Sequence, residues 1–286
     1  MTIPLSCKNL LAAALAASAL TFAGTACATP FAFSTGDPDG KIATGSRPSS
    51  SGKIEIESAD DFILSDHTRI TKASFTGLLP DVSKVGSVIV EIYRVFPFDS
   101  TNPPSGKVTT RVNSPSDVAF DSRSNGSGLS FATTVLNGTF TAANSVLNGI
   151  HPKPNEFTGG EGSVSGQEVR FDVAFTTPFD LPAGHYFFIP QVEVTGTIGD
   201  FLWLSAPKPI TGGTGPFAPD LQSWIRNDTL SPDWLRIGTD ITQQGPFNAA
   251  FSLQGVTVPE PGSYTLMLAG LAIVGVLRRR RTRRPS

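Results

Sequence analysis

Apolar and polar residues alternate with a period of two along much of the chain between residues 53 and 257, as is typical of β-strands with one buried face. The segment QEVRFDVAF shows the alternation most clearly. Its apolar side chains are predicted to point inward and its charged ones outward: Val169, Phe171, Val173 and Phe175 against Glu168, Arg170 and Asp172. Six further segments predict strands: GKIEIES, RITKASFTGLL, SVIVEIYRVF, GHYFFIPQVEV, DFLWLS and FNAAFSLQGVTV.

The sequence also predicts particular buried residues in three of these segments, and a break and turns elsewhere. Their inward positions are expected to be Ile54 and Ile56, Ala73 and Phe75, and Val88, Val90 and Ile92. Pro190 within GHYFFIPQVEV cannot donate a ladder hydrogen bond, so it predicts a strand edge or a bulge. Three Asn-Gly pairs predict tight turns: Asn125-Gly126, Asn137-Gly138 and Asn148-Gly149.

The strand pattern predicts one all-β domain over residues 53–257, an antiparallel β-sandwich with a jelly-roll-like arrangement. Between the two ends of the chain, no stretch of sequence has a sustained helical period. A Gly/Ser/Asn-rich insertion is predicted at about 101–165, and residues 29–52, rich in Gly, Ser, Pro and Thr, are predicted to be a flexible lead-in. Two smaller sandwiches joined through the insertion are the alternative.

Residues 1–28 have the layout of a secretory signal peptide, which predicts a signal helix that is removed on export. Lys8 supplies a positive charge, and an apolar stretch runs from Leu10 to Phe22. Ala26 and Ala28 are the small residues that signal peptidase requires at its cleavage site. An uncleaved membrane anchor and a lipoprotein acylated on the cysteine between these alanines are the alternatives.

Cysteine and charge content change once both ends are set aside. Cys7 and Cys27 are the only cysteines and lie in the signal segment, so a cleaved chain has no thiol, disulfide or thiolate metal site. Of the 22 basic residues, one lies in that segment and six lie near the C-terminus, which leaves 15 to balance the chain's 24 acidic residues. An acidic body opposes binding to nucleic acid, whose phosphates would repel it.

The last residues, 258–286, form a segment unlike the body. Pro259 and Pro261 hold the backbone around Glu260 extended, a shape that a protease cleft can grip. The apolar run that follows predicts a helix over residues 264–277, about 21 Å long, against a hydrocarbon core of about 30 Å. Arginines follow it and favour the cytoplasmic side: Arg278, Arg279, Arg280, Arg281, Arg283 and Arg284. A core helix at the chain end is the alternative.

The tetrapeptide Val258-Pro259-Glu260-Pro261, the apolar helix and the arginine cluster together resemble the PEP-CTERM protein-sorting domain, also catalogued as an ice-binding-protein C-terminal domain. The resemblance implies recognition by exosortase, a cysteine-dependent membrane protease and transpeptidase of Gram-negative bacteria that make exopolysaccharide. It implies export across the inner membrane and transient anchoring through the C-terminal helix. Residence at the cell surface, in the matrix or outside the cell would follow.

Candidate catalytic groups are few in this sequence. The three histidines have no metal-ligand spacing, and the sequence contains no nucleophile elbow, phosphate loop or zinc motif. Asp60 and Asp61 are the obvious carboxylate pair, but neighbouring residues of a strand point to opposite faces, so a turn or cap role is favoured. We therefore predict no catalytic residue, no metal site and no cofactor.

Trp224 and Trp234 are the candidate glycan contacts. They lie in DLQSWIRNDTLSPDWLRIG, where aromatic rings stand among amides and carboxylates, as they do in sugar sites. A place in the hydrophobic core is the alternative, and it is the favoured one. Asp37 and Asp39 have carboxylates suited to Ca²⁺, but the rest of a calcium loop is missing, which favours a solvated turn.

These features predict an exported structural or binding protein of the cell envelope or exopolysaccharide matrix, and not an enzyme. The predicted partners are signal peptidase and exosortase for processing, the membrane through the C-terminal helix, and exopolysaccharide as a candidate ligand. A secreted glycan-binding module and a glycan-active hydrolase that uses carboxylate pairs are the alternatives.

Overall fold

Fifteen β-strands dominate the described part of the chain. The computed structural model describes residues 28–50, 52–96, 105–151, 156–196, 199–210, 213–216, 219–258 and 270. The strands are β1 Pro30–Ser34, β2 Ile42–Gly45, β3 Ile56–Leu64, β4 Thr68–Leu79, β5 Val85–Arg94, β6 Asp121–Ser124, β7 Ser130–Ala142, β8 Asn144–Val146, β9 Val164–Leu181, β10 Gly184–Val194, β11 Leu202–Ala206, β12 Trp224–Asn227, β13 Leu235–Arg236, β14 Asn248–Ala249 and β15 Phe251–Thr257. Two short helical turns, Val82–Lys84 and Ile237–Ile241, lie between strands.

The strands form two sheets that are largely antiparallel. The first has the order β1-β15-β4-β11-β2-β8; β14 also pairs with β11, β9 with β4, and β7 with β9. The second has the order β13-β12-β3-β10-β5-β6. Among the described pairs, β2 with β8 is parallel. The all-β class predicted from the sequence is thus confirmed.

Side chains from both sheets share one hydrophobic core. Phe188 on β10 of the second sheet stacks on Phe251 of β15 in the first, with ring centroids 5.1 Å apart and planes 2° apart. Phe33 on β1 also contacts the second sheet: its ring lies 6.2 Å from that of Phe62 on β3, with the planes tilted by 57°. Burial of such large rings is a main favourable contribution to folding, so these contacts hold the sheets together.

The predicted inward positions are mostly confirmed. Those of QEVRFDVAF are buried on β9, and Ala73, Phe75, Val88, Val90 and Ile92 are buried on β4 and β5. Glu168 differs: it was predicted to point to solvent but is 5% exposed, because the amide of Asn137 on β7 donates to it. Ile54 is 46% exposed, because β3 begins only at Ile56, which is buried.

Residues 29–52, predicted to be a flexible lead-in, contribute two strands to the first sheet. β1 pairs with β15 along its length, and β2 lies between β11 and β8. Phe33 and Ile42 bring apolar side chains into the core. Tertiary pairing therefore overrides the turn-rich composition of this stretch, since its few apolar residues fall on buried positions.

The region predicted as an insertion, about 101–165, contains β6, β7 and β8. Asn125-Gly126 forms the predicted turn, with Ser124 and Ser127 exchanging backbone hydrogen bonds across it. Asn137-Gly138 instead lies within β7, where the register with β9 shifts twice. In the described part of the chain β7 pairs with β9 alone, so it is an edge strand.

Pro190 lies in β10, which is paired on both sides rather than at an edge. Pairing with β3 extends only to Phe188, whereas pairing with β5 continues through Pro190 opposite Val90. The carbonyl of Pro190 accepts a hydrogen bond from the Ser46 hydroxyl at 2.6 Å. The missing donor of proline is thus accommodated where the pairing of β10 with β3 has stopped.

The chain divides into two compact units, Pro30–Thr257 and a unit made of Met1–Thr29 with Val258–Ser286. Of the latter, residues 28, 29, 258 and 270 belong to the described part. The predicted signal helix lies outside it, as does the predicted helix over 264–277 except for Gly270, which is helical. No helix formed by described residues is long and apolar enough to cross a membrane.

Candidate functional site

A cavity of about 560 Å³ opens beside β12 and β13 in the unit Pro30–Thr257. Strand residues Trp224 and Arg236 form part of its wall, and loops supply the rest. The loop residues are Thr109, Thr110, Val112, Asn113, Lys208, Asp220, Leu221, Gln222 and Pro246. Hydroxyl, amide, charged and apolar groups thus share one concave surface, a composition typical of ligand sites.

Each cation of the cavity wall is paired with its own carboxylate. Lys208 Nζ lies 2.8 Å from Asp220 Oδ1. Arg236 forms a two-pronged pair with Asp240, with Nη2 2.6 Å from Oδ1 and Nε 2.9 Å from Oδ2. These pairs neutralise the charges of the described wall residues, which therefore include no excess cation with which to select an anion.

The neutral polar groups of the wall are held in place by neighbouring residues. The Thr109 hydroxyl accepts from Arg236 Nη2 at 2.9 Å. Gln222 Oε1 accepts from the Thr239 hydroxyl at 2.8 Å, and the Thr110 hydroxyl accepts from the Val112 amide at 2.9 Å. Because these bonds fix the rotamers, the donors and acceptors of the wall are preorganised.

Trp224, predicted as either a glycan contact or a core residue, has features of both. It is 1% exposed and packs in a cluster with Ala59, Tyr93, Phe187 and Trp234, yet it lines the cavity. Its Nε1 donor is buried and has no hydrogen-bond partner among the described residues. Buried indole N–H groups normally have an acceptor, so this donor is exceptional.

Trp234, the second candidate glycan contact, is a core residue. It is also 1% exposed, and its Nε1 donates to the Ser116 carbonyl at 3.3 Å. Its ring lies edge-on to Tyr93, with centroids 5.5 Å apart. At 1% exposure neither Trp234 nor Trp224 offers a ring face on which a sugar could stack, and Trp234 lies in the core cluster.

Asp60 and Asp61 lie within β3 rather than in a turn, and they support the wall of the cavity. Asp60 accepts from the Ala249 amide at 2.8 Å and the Ser223 hydroxyl at 3.0 Å. Asp61 lies 2.6 Å from His185 Nε2 and accepts from the Leu221 amide at 3.0 Å. The two carboxylates have separate partners, and together they anchor the segment 221–223.

Burial governs the titration of both aspartates. Removal from water raises the pKa of Asp60 well above its ordinary value, and the neighbouring Asp61 adds to the shift. Burial likewise raises the pKa of Asp61, against the opposing effect of its bond to His185. With exposures of 1% and 6%, neither carboxyl is open to a substrate.

A buried ionic network lies elsewhere on β3, β5 and β12, and sequence reasoning missed it. Tyr93 donates to Glu57 Oε1 at 2.7 Å, and Arg226 Nη2 donates to the Tyr93 oxygen at 2.8 Å. Arg226 Nη1 also donates to the carbonyls of Asp117 and Pro232. The loops that contain Asp117 and Pro232 cover this face of the sheet. Charged strand residues that an alternating pattern would assign to solvent are therefore buried.

Glu91 completes this network. Its Oε2 lies 3.3 Å from the Tyr93 hydroxyl. Burial raises the pKa of Glu91 to about 8, and the charge of Glu57 contributes in the same direction. With a pKa of about 8, Glu91 keeps a proton at neutral pH, as groups of acid–base sites can, and it is partly buried beside the buried Glu57.

The remaining sequence candidates, two of the histidines and Asp39, are not among the described residues of the cavity wall. His67 lies 2.6 Å from Asp180, and His151 lies 3.0 Å from Glu156. Asp39 accepts from the Ser205 hydroxyl at 2.5 Å. Within the described ranges, no group of three His, Cys, Asp or Glu residues is placed to hold a metal ion.

The predicted sorting residues fall almost wholly outside the described part of the chain. Val258 is described and follows β15 directly; Pro259, Glu260, Pro261 and the six arginines are not. Of the predicted cleavage residues, Ala28 is described and exposed, and Ala26 is not.

Comparison with protein families identifies the C-terminal segment. Residues 257–281 match the model of the PEP-CTERM protein-sorting motif, which confirms the predicted resemblance. The matched range contains Val258 to Pro261 and the first four arginines. Comparisons with curated proteins and with solved structures gave no significant match. The motif supports an exported protein that exosortase sorts.

Proposed function

We propose that this chain is a structural or binding protein of the cell envelope or exopolysaccharide matrix, exported across the inner membrane of a Gram-negative cell and not an enzyme. The carrying observation is the sorting motif over residues 257–281. We assign the two sheets of the body to an antiparallel β-sandwich, because their side chains share one core. Signal peptidase and exosortase are its proposed processing partners.

The connection between body and motif supports this role. β15 ends at Thr257, which is also the first residue of the matched motif, so the motif begins in sequence where the last strand ends. β15 is hydrogen-bonded on one side to β1 and on the other to β4. A pull on the tail would therefore load two ladders along the strand direction, which suits a body held by its C-terminus.

Binding is better supported than hydrolysis. Glycoside hydrolysis requires two carboxyl groups that flank an accessible bond. Asp60, Asp61 and Glu57 are all buried, and Glu57 is occupied by Arg226 and Tyr93. The neutral, hydrogen-bonding cavity beside Trp224 instead favours a glycan-binding module as the second candidate function.

Removal of the sorting tail tests the proposal. A chain truncated after Val258 and the variant Pro259→Ala/Pro261→Ala are expected to lose exosortase processing, which intact-mass spectrometry and cell fractionation would show. The double variant keeps the apolar helix and all arginines, so it isolates the recognition of the motif. Arg283→Lys/Arg284→Lys is the matched control, because it preserves charge outside the matched range. Processing of the double variant to the parental mass, together with an unchanged location of both test variants, would contradict the proposal.

A further inference from the structure

We propose that the cavity beside Trp224 binds a neutral saccharide, one or two sugar units in size. This inference rests on the binding role proposed above and names the site and ligand class for it. The cavity volume of about 560 Å³ falls within the range of about 300–1,000 Å³ that is usual for small-molecule sites. A free saccharide and the end of a polysaccharide chain present the same chemistry to it.

The charge balance of the wall selects against ionic ligands. Lys208 is neutralised by Asp220, and Arg236 by Asp240. Lys208 Nζ also donates to the carbonyl oxygens of Asp220 and Leu221, so its donors are already used within the wall. A phosphate or uronate would have to break these pairs, whereas a hydroxyl group can bond beside them without doing so.

The uncharged wall groups match a ligand rich in hydroxyls. Thr110 and Gln222 provide a hydroxyl and an amide, each of which can both donate and accept. Leu221, Val112 and Pro246 provide apolar surface for the C–H faces of a sugar ring. A wall that combines polar and apolar groups can bind the hydroxyls and the C–H surface of one ligand together, which a purely apolar wall cannot do.

The Nε1 donor of Trp224 is a buried polar atom, unpaired within the described ranges, in a residue of this wall. Trp224 lines the cavity and is 1% exposed. Its Nε1 donor has no partner among the described residues. Because Nε1 is enclosed, a sugar hydroxyl accepts from it only where the wall residues around it shift to admit the sugar. Trp234, in contrast, already donates to Ser116 and needs no ligand.

The wall is also supported as a binding site requires. Asp61 holds the Leu221 amide and Asp60 holds the Ser223 hydroxyl, so the residues on both sides of Gln222 are anchored to β3. Groups fixed in this way lose little conformational entropy when a ligand arrives. The same buried carboxylates that cannot act as catalysts thus shape the site.

Titration of the full chain with defined sugars tests the inference. Glucose, galactose, mannose, cellobiose and lactose are the neutral probes, and galacturonate and inorganic phosphate are the charged ones, with binding followed by calorimetry and by saturation-transfer NMR. At least one neutral probe is expected to bind more tightly than both charged probes. Failure of every neutral probe to bind, or tighter binding of a charged probe, would overturn the inference.

Two matched pairs of variants locate the binding. Gln222→Ala is expected to raise the Kd of the bound sugar about tenfold, as for the loss of one good hydrogen bond, while Gln254→Ala on the exposed side of β15 leaves it unchanged. Trp224→Phe is expected to weaken binding, and Trp234→Phe is not. Far-UV circular dichroism checks that each variant is folded. If Gln222→Ala and Trp224→Phe both bind as the parent does, the site is not this cavity.

These measurements are separate from the sorting experiment. Sugar binding is measured on purified protein, whereas sorting is measured in the producing cell. Loss of processing in the tail variants together with absence of sugar binding would retain the proposed sorting and reject the saccharide site. Sugar binding together with unchanged sorting of the tail variants would retain the saccharide site and reject the proposed sorting.

Discussion

Arg226 Nε donates to a carboxylate oxygen of Glu57 inside the body, where the two side chains are 7% and 4% exposed. The residues lie opposite each other on β12 and β3, and the guanidinium also lies 4.3 Å above the ring of Trp234. Moving charges out of water is costly unless each is paired and hydrogen-bonded. The pair therefore depends on both members being present.

Arg226→Met is expected to lower the free energy of unfolding by about 3–5 kcal/mol, because it leaves the Glu57 carboxylate buried without its cation. Urea denaturation followed by tryptophan fluorescence measures the change. Arg170→Met is the control: Arg170 pairs with Asp172 at the surface, with exposures of 45% and 47%, and its loss is expected to cost at most about 1 kcal/mol. Similar losses for the two variants would show that the buried pair is not held as described.

Stability is expected to fall as the pH rises from about 5 to 8. Glu91 titrates near its ordinary pKa of 4.5 when unfolded, and burial raises its pKa to about 8 in the folded body. Between these values the folded protein retains a proton that the unfolded chain has released, so the stabilisation present below the lower pKa is lost as the pH approaches the upper one.

Glu91→Gln tests this pH dependence because an amide stays neutral at every pH. Its thermal midpoint is expected to change less between pH 5 and 8 than that of the parent protein. Asp172→Asn, which removes an exposed carboxylate on β9, serves as the control and should keep the parental slope. An identical slope in Glu91→Gln would assign the pH dependence to other groups.

Gly77→Ala is expected to destabilise the body by about 1–3 kcal/mol or more. Gly77 lies in β4, opposite both Trp203 and Val169. A methyl group there would overlap the Phe201 ring and lie 2.6 Å from the Leu202 carbonyl oxygen, so the core would be overpacked. Gly138→Ala in β7 is the matched control, because its added carbon meets no atom within 4 Å. The prediction fails if thermal unfolding of both variants matches the parent.

Cleavage after Ala28 is expected to give a mature chain that begins at Thr29 and contains no cysteine. Intact-mass spectrometry of the exported protein measures the new N-terminus, and a maleimide reagent should label nothing after denaturation. A labelled thiol, or a mass that includes a lipid on Cys27, would establish one of the alternatives instead.

The sequence was most informative where one strand face is buried and the other meets solvent. On β9 the alternation of Phe171 with Arg170 and Asp172 corresponds directly to inward and outward positions. Glu168 broke the pattern because β7 covers it, and the pairing of two distant strands leaves no mark in a local window. Periodicity therefore predicted the sheets well and their edges poorly.

The cavity could not be predicted because its wall is drawn from distant parts of the chain. Thr109, Lys208, Gln222, Arg236 and Pro246 meet only after the loops have folded. The signal available was composition around Trp224, and it pointed equally to Trp234, which lies in the core. What separates the two tryptophans is a hydrogen-bond partner, and that is a property of the tertiary structure.

The two register shifts in β7 affect how copies of this protein interact at high local concentration. This edge strand has 13 residues and no charged side chain, and such an edge is a ready template for a neighbour's backbone. The bulges between Val135 and Phe140 interrupt the even spacing that a second strand would need. Copies crowded side by side can thus remain individual molecules instead of fusing into a continuous fibre.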